Sequence, residues 1–399
     1  MFNTGFKSAY VPALLTGIEN VIRRCIIPGN IFGLYKDKYD VSWFTDRAIF
    51  THPHVLISYY YSGRFANYRK ELRIKDDITL WADSGGYSVA TKGAKIDPHE
   101  VLKWQERNSN IAFTLDYPPT KVTSVGRVSP GKNERMTPEE FEECAEKTRK
   151  NNLIFYNDRT SDKLKIYNII HGYNLESYDL WWDYTSKDMK FDGYGTGMKP
   201  TSDCLLQALS IMYLWDKGVR ERIHLLGVSG ITVIPVLIWA SQYIDKISFD
   251  STSYGYGSRT RAYVYPDRIR YYTHFGKKYV TKNKPMEKIY CNCPICKDFD
   301  DPSYFIGGGT TMPGMLLALH NLWAVKQYVE LLDKTINEDK DKKRFFELIK
   351  QHTGNRADES IHAINFIEDV VKIGLKKSYD IYFSTHNFDK QKLKPKTLL

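Results

Sequence analysis

The chain has 399 residues, 42% of them hydrophobic, and a formal net charge of +10 at pH 7. This length allows one large domain or two ordinary ones, and the apolar content excludes a generally disordered chain. The positive charge favours a polyanionic partner such as nucleic acid, although a surface charged only for solubility explains it equally well.

Short β-branched or aromatic runs that end in polar or glycine residues predict strands along the chain. In order they are Val55–Tyr60, Ile78–Ala82, Ala112–Leu115, Ile166–Ile170, Gly193–Gly195, Ile223–Gly227 and Lys246–Phe249. Charged or amphipathic stretches between them predict helices. The clearest are Pro98–Arg107, Pro138–Asn151, Ser202–Lys217 and Val233–Ile244. Thr137 directly before Pro138 predicts a helix N-cap.

This alternation of strands and helices predicts parallel strands, in either a doubly wound sheet or a closed barrel. Polar residues or glycine stand at or just beyond five predicted strand ends: Asp83, Asp116, His171, Gly197 and Asp250. A barrel brings all these ends to one mouth, where active sites lie, whereas a doubly wound sheet concentrates its site at one switch point. We therefore predict an α/β fold, namely a TIM-like (β/α)8 barrel.

The sequence changes character from Met286, where a cysteine cluster and a glycine triplet precede an apolar helical run from Met315 to Leu332. We expect three segments. Residues 1–285 would form the catalytic barrel, and 286–332 a zinc-binding subdomain with the final barrel helix. Residues 333–399 would form a basic helical C-terminal tail, helical to about Lys350.

The cysteine cluster predicts a metal site. Cys291, Cys293 and Cys296 are separated by one and two residues, which lets three thiolates converge on one tetrahedral ion. Crowding of this kind in a long chain indicates metal rather than disulfides, although reduced surface thiols are an alternative. A histidine in an apolar helix is more often a core residue, yet three thiolates need a fourth ligand. We predict a structural zinc site completed by His320.

Three carboxylates end predicted strands. Asp83 is followed by Ser84, Gly85 and Gly86, and the glycines would let the backbone approach a ligand closely, although an Asx-turn explains this stretch as well. Asp116 and Asp250 end two further strands and could each cap a turn or helix. Three carboxylates at one rim repel each other unless they have separate tasks. A pair of them suits a nucleophile and an acid/base residue, as in glycosyl chemistry.

No segment predicts a membrane span. The longest apolar stretch, Ile231–Tyr243, contains Pro235, Ser241 and Gln242 and is too short to cross a bilayer. The first ten residues lack the charged start and apolar run of a signal peptide. We therefore expect a cytoplasmic protein without a membrane partner.

These elements, in this order, resemble the tRNA-guanine transglycosylase superfamily, whose members exchange a guanine in a polynucleotide for a 7-deazaguanine. The resemblance runs from about Ile78 to Leu332. It is carried by Asp83–Tyr87, Asp116, Phe191–Tyr194, Leu225–Val228, Phe249–Asp250, Cys291–Cys296 and Leu319–Asn321. It implies a TIM-like barrel with a zinc-bearing insertion near its C-terminal end, and a reaction that needs no redox or nucleotide cofactor.

Position by position, the resemblance also implies roles. Asp250 would be the nucleophile that attacks C1′ of the nucleotide, and Asp83 the general acid/base for the departing and incoming bases. Asp116 would hydrogen-bond the pyrimidine edge of the base. The remaining substrate-binding residues would be Ser84, Tyr87, His171, Gly197 and Met198.

Two departures from the family pattern bear on the substrate. The family commonly has Gln at the position of His171, which leaves the identity of the incoming base open. Members that act on tRNA carry a Leu-Pro-Thr-Arg-like segment after the nucleophile, whereas Ser251–Arg259 stands here. This favours the DpdA-type DNA 7-deazaguanine transglycosylases of phages and bacteria, and with them a phage-encoded origin. Arg259 and Arg261 would hold DNA around a flipped guanine, or belong to an ordinary solvated loop.

The sequence thus predicts a glycosyltransferase that exchanges guanine in DNA for 7-cyano-7-deazaguanine or a derivative. Its partners would be DNA and the free base, with tRNA as the alternative substrate. A non-catalytic nucleic-acid-binding subunit is a second hypothesis, opposed by the presence of both Asp83 and Asp250. A glycoside hydrolase is a third, opposed by the basic charge and the cysteine cluster. The need for a homodimer or a partner protein stays open.

Overall fold

The computed structural model describes residues 6–14, 19–20, 34–35, 39–120, 136–197, 202–228, 230–255, 262–265, 271–273, 291–299, 305 and 312–384. Three predicted site residues, Met198, Arg259 and Arg261, lie outside the described residues. In the described part of the chain, strands and helices alternate as the sequence predicts.

Eight of the described strands form one sheet, in the order β1-β10-β9-β8-β7-β6-β5-β4. They are β1 (Ser8–Pro12), β4 (His54–Ser58), β5 (Thr79–Asp83), β6 (Ile111–Phe113), β7 (Lys165–Ile170), β8 (Gly193–Thr196), β9 (Arg222–Leu225) and β10 (Lys246–Ser251). Two short antiparallel pairs join β2 (Leu34–Tyr35) to β3 (Tyr39–Asp40) and β11 (Ala262–Val264) to β12 (Tyr271–Thr273).

The strand order and pairing confirm the predicted TIM-like (β/α)8 barrel. Strands β5 to β9 pair in parallel, with Trp81 opposite Ile111 in the first of these pairs. A parallel bridge between Ala13 and Leu56 joins the two edge strands, and the Leu14 N–H donates to the Leu56 carbonyl over 2.8 Å. Because sequence neighbours pair and the two edges meet, every strand directs its carboxyl end to the same face.

Helices fill the connections between these strands. They are α1 (Tyr59–Ser62), α2 (Tyr68–Glu71), α3 (Gly86–Lys92), α4 (Pro98–Asn108), α5 (Pro138–Asp158), α6 (Leu175–Thr185), α7 (Cys204–Asp216) and α8 (Ile234–Ala240). Thr137 caps α5 as predicted. Its hydroxyl accepts from the Glu140 N–H, and the Glu140 carboxylate accepts from the Thr137 N–H, so two otherwise unpaired donors are satisfied.

Four helices follow in the described C-terminal part of the chain: α9 (Met312–Asp333), α10 (Lys342–Thr353), α11 (Ala357–Ile373) and α12 (Leu375–Phe383). Helical structure therefore continues past Lys350. Two side chains of α11 hold it along α8. The Ser360 hydroxyl donates to the carbonyl of Thr232, just before α8, over 2.6 Å, and Glu368 accepts from the indole of Trp239, near its end, over 2.8 Å. In the described part of the chain, no helix has both the length and the apolar character that a membrane crossing requires.

The chain divides into two compact units. The first comprises Met1–Leu56, Asn67–Leu80 and Phe249–Ala357, and the second comprises Ile57–Ala66, Trp81–Ser248 and Asp358–Leu399. In the first unit, buried Trp43 packs edge-on against Tyr254 and donates to the His54 carbonyl. In the second unit, the strand residues Trp81, Phe113 and His224 pack on one another. Each unit thus has an aromatic core of its own.

Candidate metal centre and active site

Four metal-ligating side chains converge in the first unit: Cys291, Cys293, Cys296 and His320. All four are buried, and their sulfur and ring-nitrogen atoms lie within 4.8 Å of one another. The His320 Nδ1 is 3.8, 3.3 and 3.1 Å from the three Sγ atoms in chain order. Zinc bonds of about 2.3 Å to sulfur and about 2.0 Å to nitrogen place tetrahedral ligands roughly 3.6 Å apart. The cluster could therefore hold a metal ion such as zinc.

The surroundings of His320 fix the orientation of its ring. Its Nε2 lies 2.8 Å from the Val264 carbonyl, so Nε2–H donates there and the Nδ1 lone pair faces the cysteines. The adjacent Asn321 accepts from the Val264 N–H and donates to the Ala262 carbonyl, each over 2.9 Å. Two consecutive side chains of α9 thus hold strand β11, which explains why both polar residues stand in an apolar helix.

Tyr263 is a further member of this centre that the sequence analysis did not assign. Its ring stacks on the His320 ring with centroids 3.9 Å apart, and its hydroxyl lies 3.2 Å from the Cys296 sulfur. Burial, and then the nearby thiols, raise the pKa of Tyr263, so the hydroxyl stays protonated and donates to sulfur. No motif marks this residue, because its role depends on β11 lying beside α9.

In the second unit, the Asp83–Tyr87 stretch turns directly from β5 into α3. Gly85 has φ of +91°, a conformation that L side chains rarely adopt. Gly86 is needed for space, since a Cβ there would lie 2.1 Å from Oδ1 and 2.7 Å from the carbonyl of Asp116. The glycines predicted a close approach of the backbone to a ligand. At Gly86, the group that the backbone approaches closely is Asp116.

Asp116, His171 and Gly197 form one hydrogen-bonded group at the ends of β6, β7 and β8. The Asp116 Oδ2 lies 2.7 Å from the His171 Nε2, and the His171 Nδ1 lies 3.3 Å from the Gly197 carbonyl. Both ring nitrogens thus face oxygen acceptors. The ring therefore joins the carboxylate beyond the end of β6 to the backbone beyond the end of β8. Three residues predicted from separate strand ends are therefore joined in space.

Two buried hydroxyls lie at strand ends of the same unit. Ser84 follows β5 and Thr196 ends β8, and neither hydroxyl has a hydrogen-bond partner among the described residues. An unpartnered buried hydroxyl costs about 1–3 kcal/mol, which a bound ligand would offset. Ser84 is a predicted site residue, whereas Thr196 was missed, although its place between Gly195 and Gly197 at a strand end was a signal.

The other predicted site residues also stand at strand ends. Asp83 is the last residue of β5, and Asp250, which is buried, lies one residue before the end of β10. Tyr87 lies in the first turn of α3 and is exposed. Asp250 belongs to the first unit, while Asp83, Asp116, His171 and Gly197 belong to the second.

The fold and these residues define a class, a (β/α)8 protein with a buried Cys3His cluster and carboxylates at its strand ends. No protein-family model matches the chain. It is 22% identical over 269 residues to a tRNA-guanine(15) transglycosylase of Methanococcus aeolicus, covering 66% of this chain but only 38% of that protein. It is 27% identical over 267 residues to the uncharacterized protein 306 of Sulfolobus islandicus rod-shaped virus 1, covering 64% of this chain and 76% of the viral protein. This distant similarity supports a relationship to the tRNA-guanine transglycosylase superfamily.

Proposed function

We propose that the protein is a guanine transglycosylase that replaces guanine in DNA by 7-cyano-7-deazaguanine or a related 7-deazaguanine. The observation that carries this proposal is the buried Asp116–His171 pair, packed on Gly86 of the Asp83–Tyr87 stretch. Such a pair offers a carboxylate to the N–H groups of a purine-like base beside the residue proposed to handle its proton. The similarity to a protein named as a guanine transglycosylase supports the same activity.

The proposed reaction runs through a covalent intermediate on Asp250. One carboxylate oxygen attacks C1′ of the target nucleotide, the bond from C1′ to guanine N9 breaks, and the base leaves with a proton donated by Asp83. The incoming 7-deazaguanine then loses its ring N–H proton to Asp83 and attacks C1′, which releases Asp250. The proton that Asp83 gives to guanine is replaced by the proton of the incoming base, and no electrons are gained or lost, so no redox cofactor is needed. Because guanine leaves the covalent intermediate before the new base attacks, the exchange is ping-pong.

Asp116 is the proposed contact to the pyrimidine edge of the base. His171 lies 2.7 Å from its Oδ2, which leaves Oδ1 to accept from base N–H groups. The Gly197 backbone and the Ser84 and Thr196 hydroxyls would complete the polar contacts. We further propose that Tyr87 packs on the base and that Met198 lines the pocket.

The zinc ion is proposed to be structural. Three cysteines and His320 supply four ligands, which complete a tetrahedral site and leave no position for a reactive water. Bound zinc would supply a fixed cross-link between the 291–296 segment and α9, and β11 is tied to that helix through His320 and Asn321. Loss of the ion would affect folding before it affects chemistry.

DNA is the preferred substrate because Ser251–Arg259 replaces the Leu-Pro-Thr-Arg-like segment of members that act on tRNA. We propose that Arg259, at the end of this segment, and Arg261, two residues further on, contact the DNA backbone. A role on tRNA is the second candidate, favoured by the name of the matched transglycosylase. The similarity to a protein of a Sulfolobus virus is compatible with a viral origin. A non-catalytic subunit is disfavoured because Asp83 and Asp250 are both present.

The test is incorporation of labelled 7-cyano-7-deazaguanine into DNA and into tRNA, followed by mass spectrometry of the nucleosides. We expect the modified nucleoside in DNA, and its loss in Asp250→Asn, which keeps the shape of the side chain. Asp158→Asn, on an exposed helix position, is the matched control and should keep full activity. Modified nucleoside in tRNA alone would refute the DNA substrate, and normal incorporation by Asp250→Asn would refute the nucleophile.

A further inference from the structure

A cluster of exposed tyrosines lies next to the Asp83–Tyr87 stretch. Helix α1 begins directly after β4, and α3 begins three residues after β5, so both lie at the carboxyl ends of strands. The two connections pack together, because a Cβ on Gly85 would lie 3.1 Å from the Tyr60 Cβ. We call Tyr60, Tyr61, Tyr87 and Lys92 the tyrosine patch.

The rings of this patch are open to solvent. Tyr60, Tyr61 and Tyr87 are 37%, 46% and 53% exposed. The Tyr60 and Tyr61 rings stand nearly perpendicular, with centroids 4.8 Å apart. Single exposed aromatic residues are ordinary on a protein surface, whereas several that adjoin one another mark an interaction site.

Lys92 adds an uncompensated positive charge to these rings. Its Nζ lies 4.6 and 4.8 Å from the Tyr60 and Tyr61 centroids and donates to the Tyr61 hydroxyl over 2.7 Å. This hydrogen bond to Tyr61 raises the pKa of Lys92 and keeps the ammonium charged. No carboxylate among the described residues forms an ion pair with Lys92, so the charge is available to an external anion.

Aromatic faces beside a free ammonium suit unpaired nucleotides, because bases stack on the rings and the phosphate pairs with the cation. An enzyme that reacts at a base either acts on single-stranded substrate or extrudes that base from the duplex, and on a single strand the flanking nucleotides are unpaired. We propose that the tyrosine patch, through Tyr60, Tyr61 and Lys92, binds the unpaired nucleotides of a DNA strand that flank the target guanine, next to Tyr87 at the base itself. This inference rests on the proposed function for the nature of the strand.

The experiment measures binding of the full chain to a fluorescein-labelled single-stranded DNA oligonucleotide that contains no guanine, by fluorescence anisotropy. Without guanine no exchange occurs, so binding is tested apart from catalysis. We expect Tyr60→Ala/Tyr61→Ala to weaken binding by about fivefold or more, since one stacked base contributes on that order. Tyr60→Phe/Tyr61→Phe keeps the ring faces and should bind within about twofold of the wild type.

Tyr156→Ala is the matched control. Tyr156 is 47% exposed but contacts Phe191, which precedes β8, so it lies towards the opposite ends of the strands. It should bind DNA like the wild type. Equal binding by Tyr60→Ala/Tyr61→Ala and Tyr156→Ala, with matching melting temperatures, would overturn the patch. If RNA of the same sequence bound more tightly, the assignment of DNA as the bound strand would be wrong. If the wild-type protein bound DNA through the patch but did not exchange the base, only the proposed function would be refuted.

Discussion

Replacing Gly86 by alanine tests the geometry of the proposed base site most directly. The new Cβ would stand 2.1 Å from the Asp116 Oδ1, whereas a carbon–oxygen contact needs more than 3.0 Å, so Asp116 must shift by roughly 1 Å. A displacement of this size in a positioning group costs about 100-fold in rate. The new Cβ would also lie 2.7 Å from the Asp116 backbone carbonyl, so we expect overpacking to cost about 1–3 kcal/mol of stability, partly offset by the better helix propensity of alanine, about 1 kcal/mol.

The assay compares kcat/KM for base exchange with the free energy of unfolding in urea. Gly93→Ala, at the C-cap of the same helix, is the control, because a Cβ there would meet no atom within 4 Å, although the φ of Gly93 is +64°. It should lose about 1–2 kcal/mol of stability through backbone strain and keep its activity at temperatures where it is folded. Wild-type activity in Gly86→Ala, or an equal loss of activity in both variants, would refute the role of Asp116.

Three further predictions concern the Asp116–His171 pair, the metal cluster and Cys144. His171→Phe removes the partner of buried Asp116 and should lower the free energy of unfolding in urea by about 3–5 kcal/mol. His171→Gln should lower it much less, and equal unfolding free energies for the two variants would contradict the pairing. Cys293→Ala should abolish binding of one zinc per chain, measured by inductively coupled plasma mass spectrometry, and lower the melting temperature, while Cys144→Ala should keep the metal. Partial burial raises the pKa of Cys144 to about 11, so its thiol stays protonated at pH 8.5. Iodoacetamide should therefore label Cys144 far more slowly than a free cysteine at that pH. Labelling at the rate of a free cysteine would contradict the raised pKa.

Most strands of the barrel could be predicted because each is a short apolar run that ends abruptly. Strand β1 could not, since Ser8–Pro12 contains alanine and proline, two residue types that are depleted in strands. It becomes a barrel strand only through β10 on one side and the bridge from Ala13 to Leu56 on the other. Closure of a barrel is a long-range event that a local pattern does not encode.

The metal centre, too, could be predicted from the sequence only in part. The spacing of the three cysteines is a local property and was sufficient to predict convergent thiolates. His320 stands 24 residues beyond Cys296 and was inferred from the need for a fourth ligand. Tyr263 and the Val264 carbonyl, which pack on the His320 ring and fix its orientation, carry no sequence signal, because they depend on where β11 lies.

The sequence by itself determined the chemical content of this protein: the thiolates and histidine for a metal, and carboxylates placed where strands end. Residue type and spacing within one element settle these, since they follow from local geometry. Only the tertiary structure decided that Asp116 pairs with His171, 55 residues away, and that Gly86 is a glycine because Asp116 occupies the space of its side chain. Contacts of this kind depend on which strands become neighbours and how closely their connections pack, and no single segment specifies that.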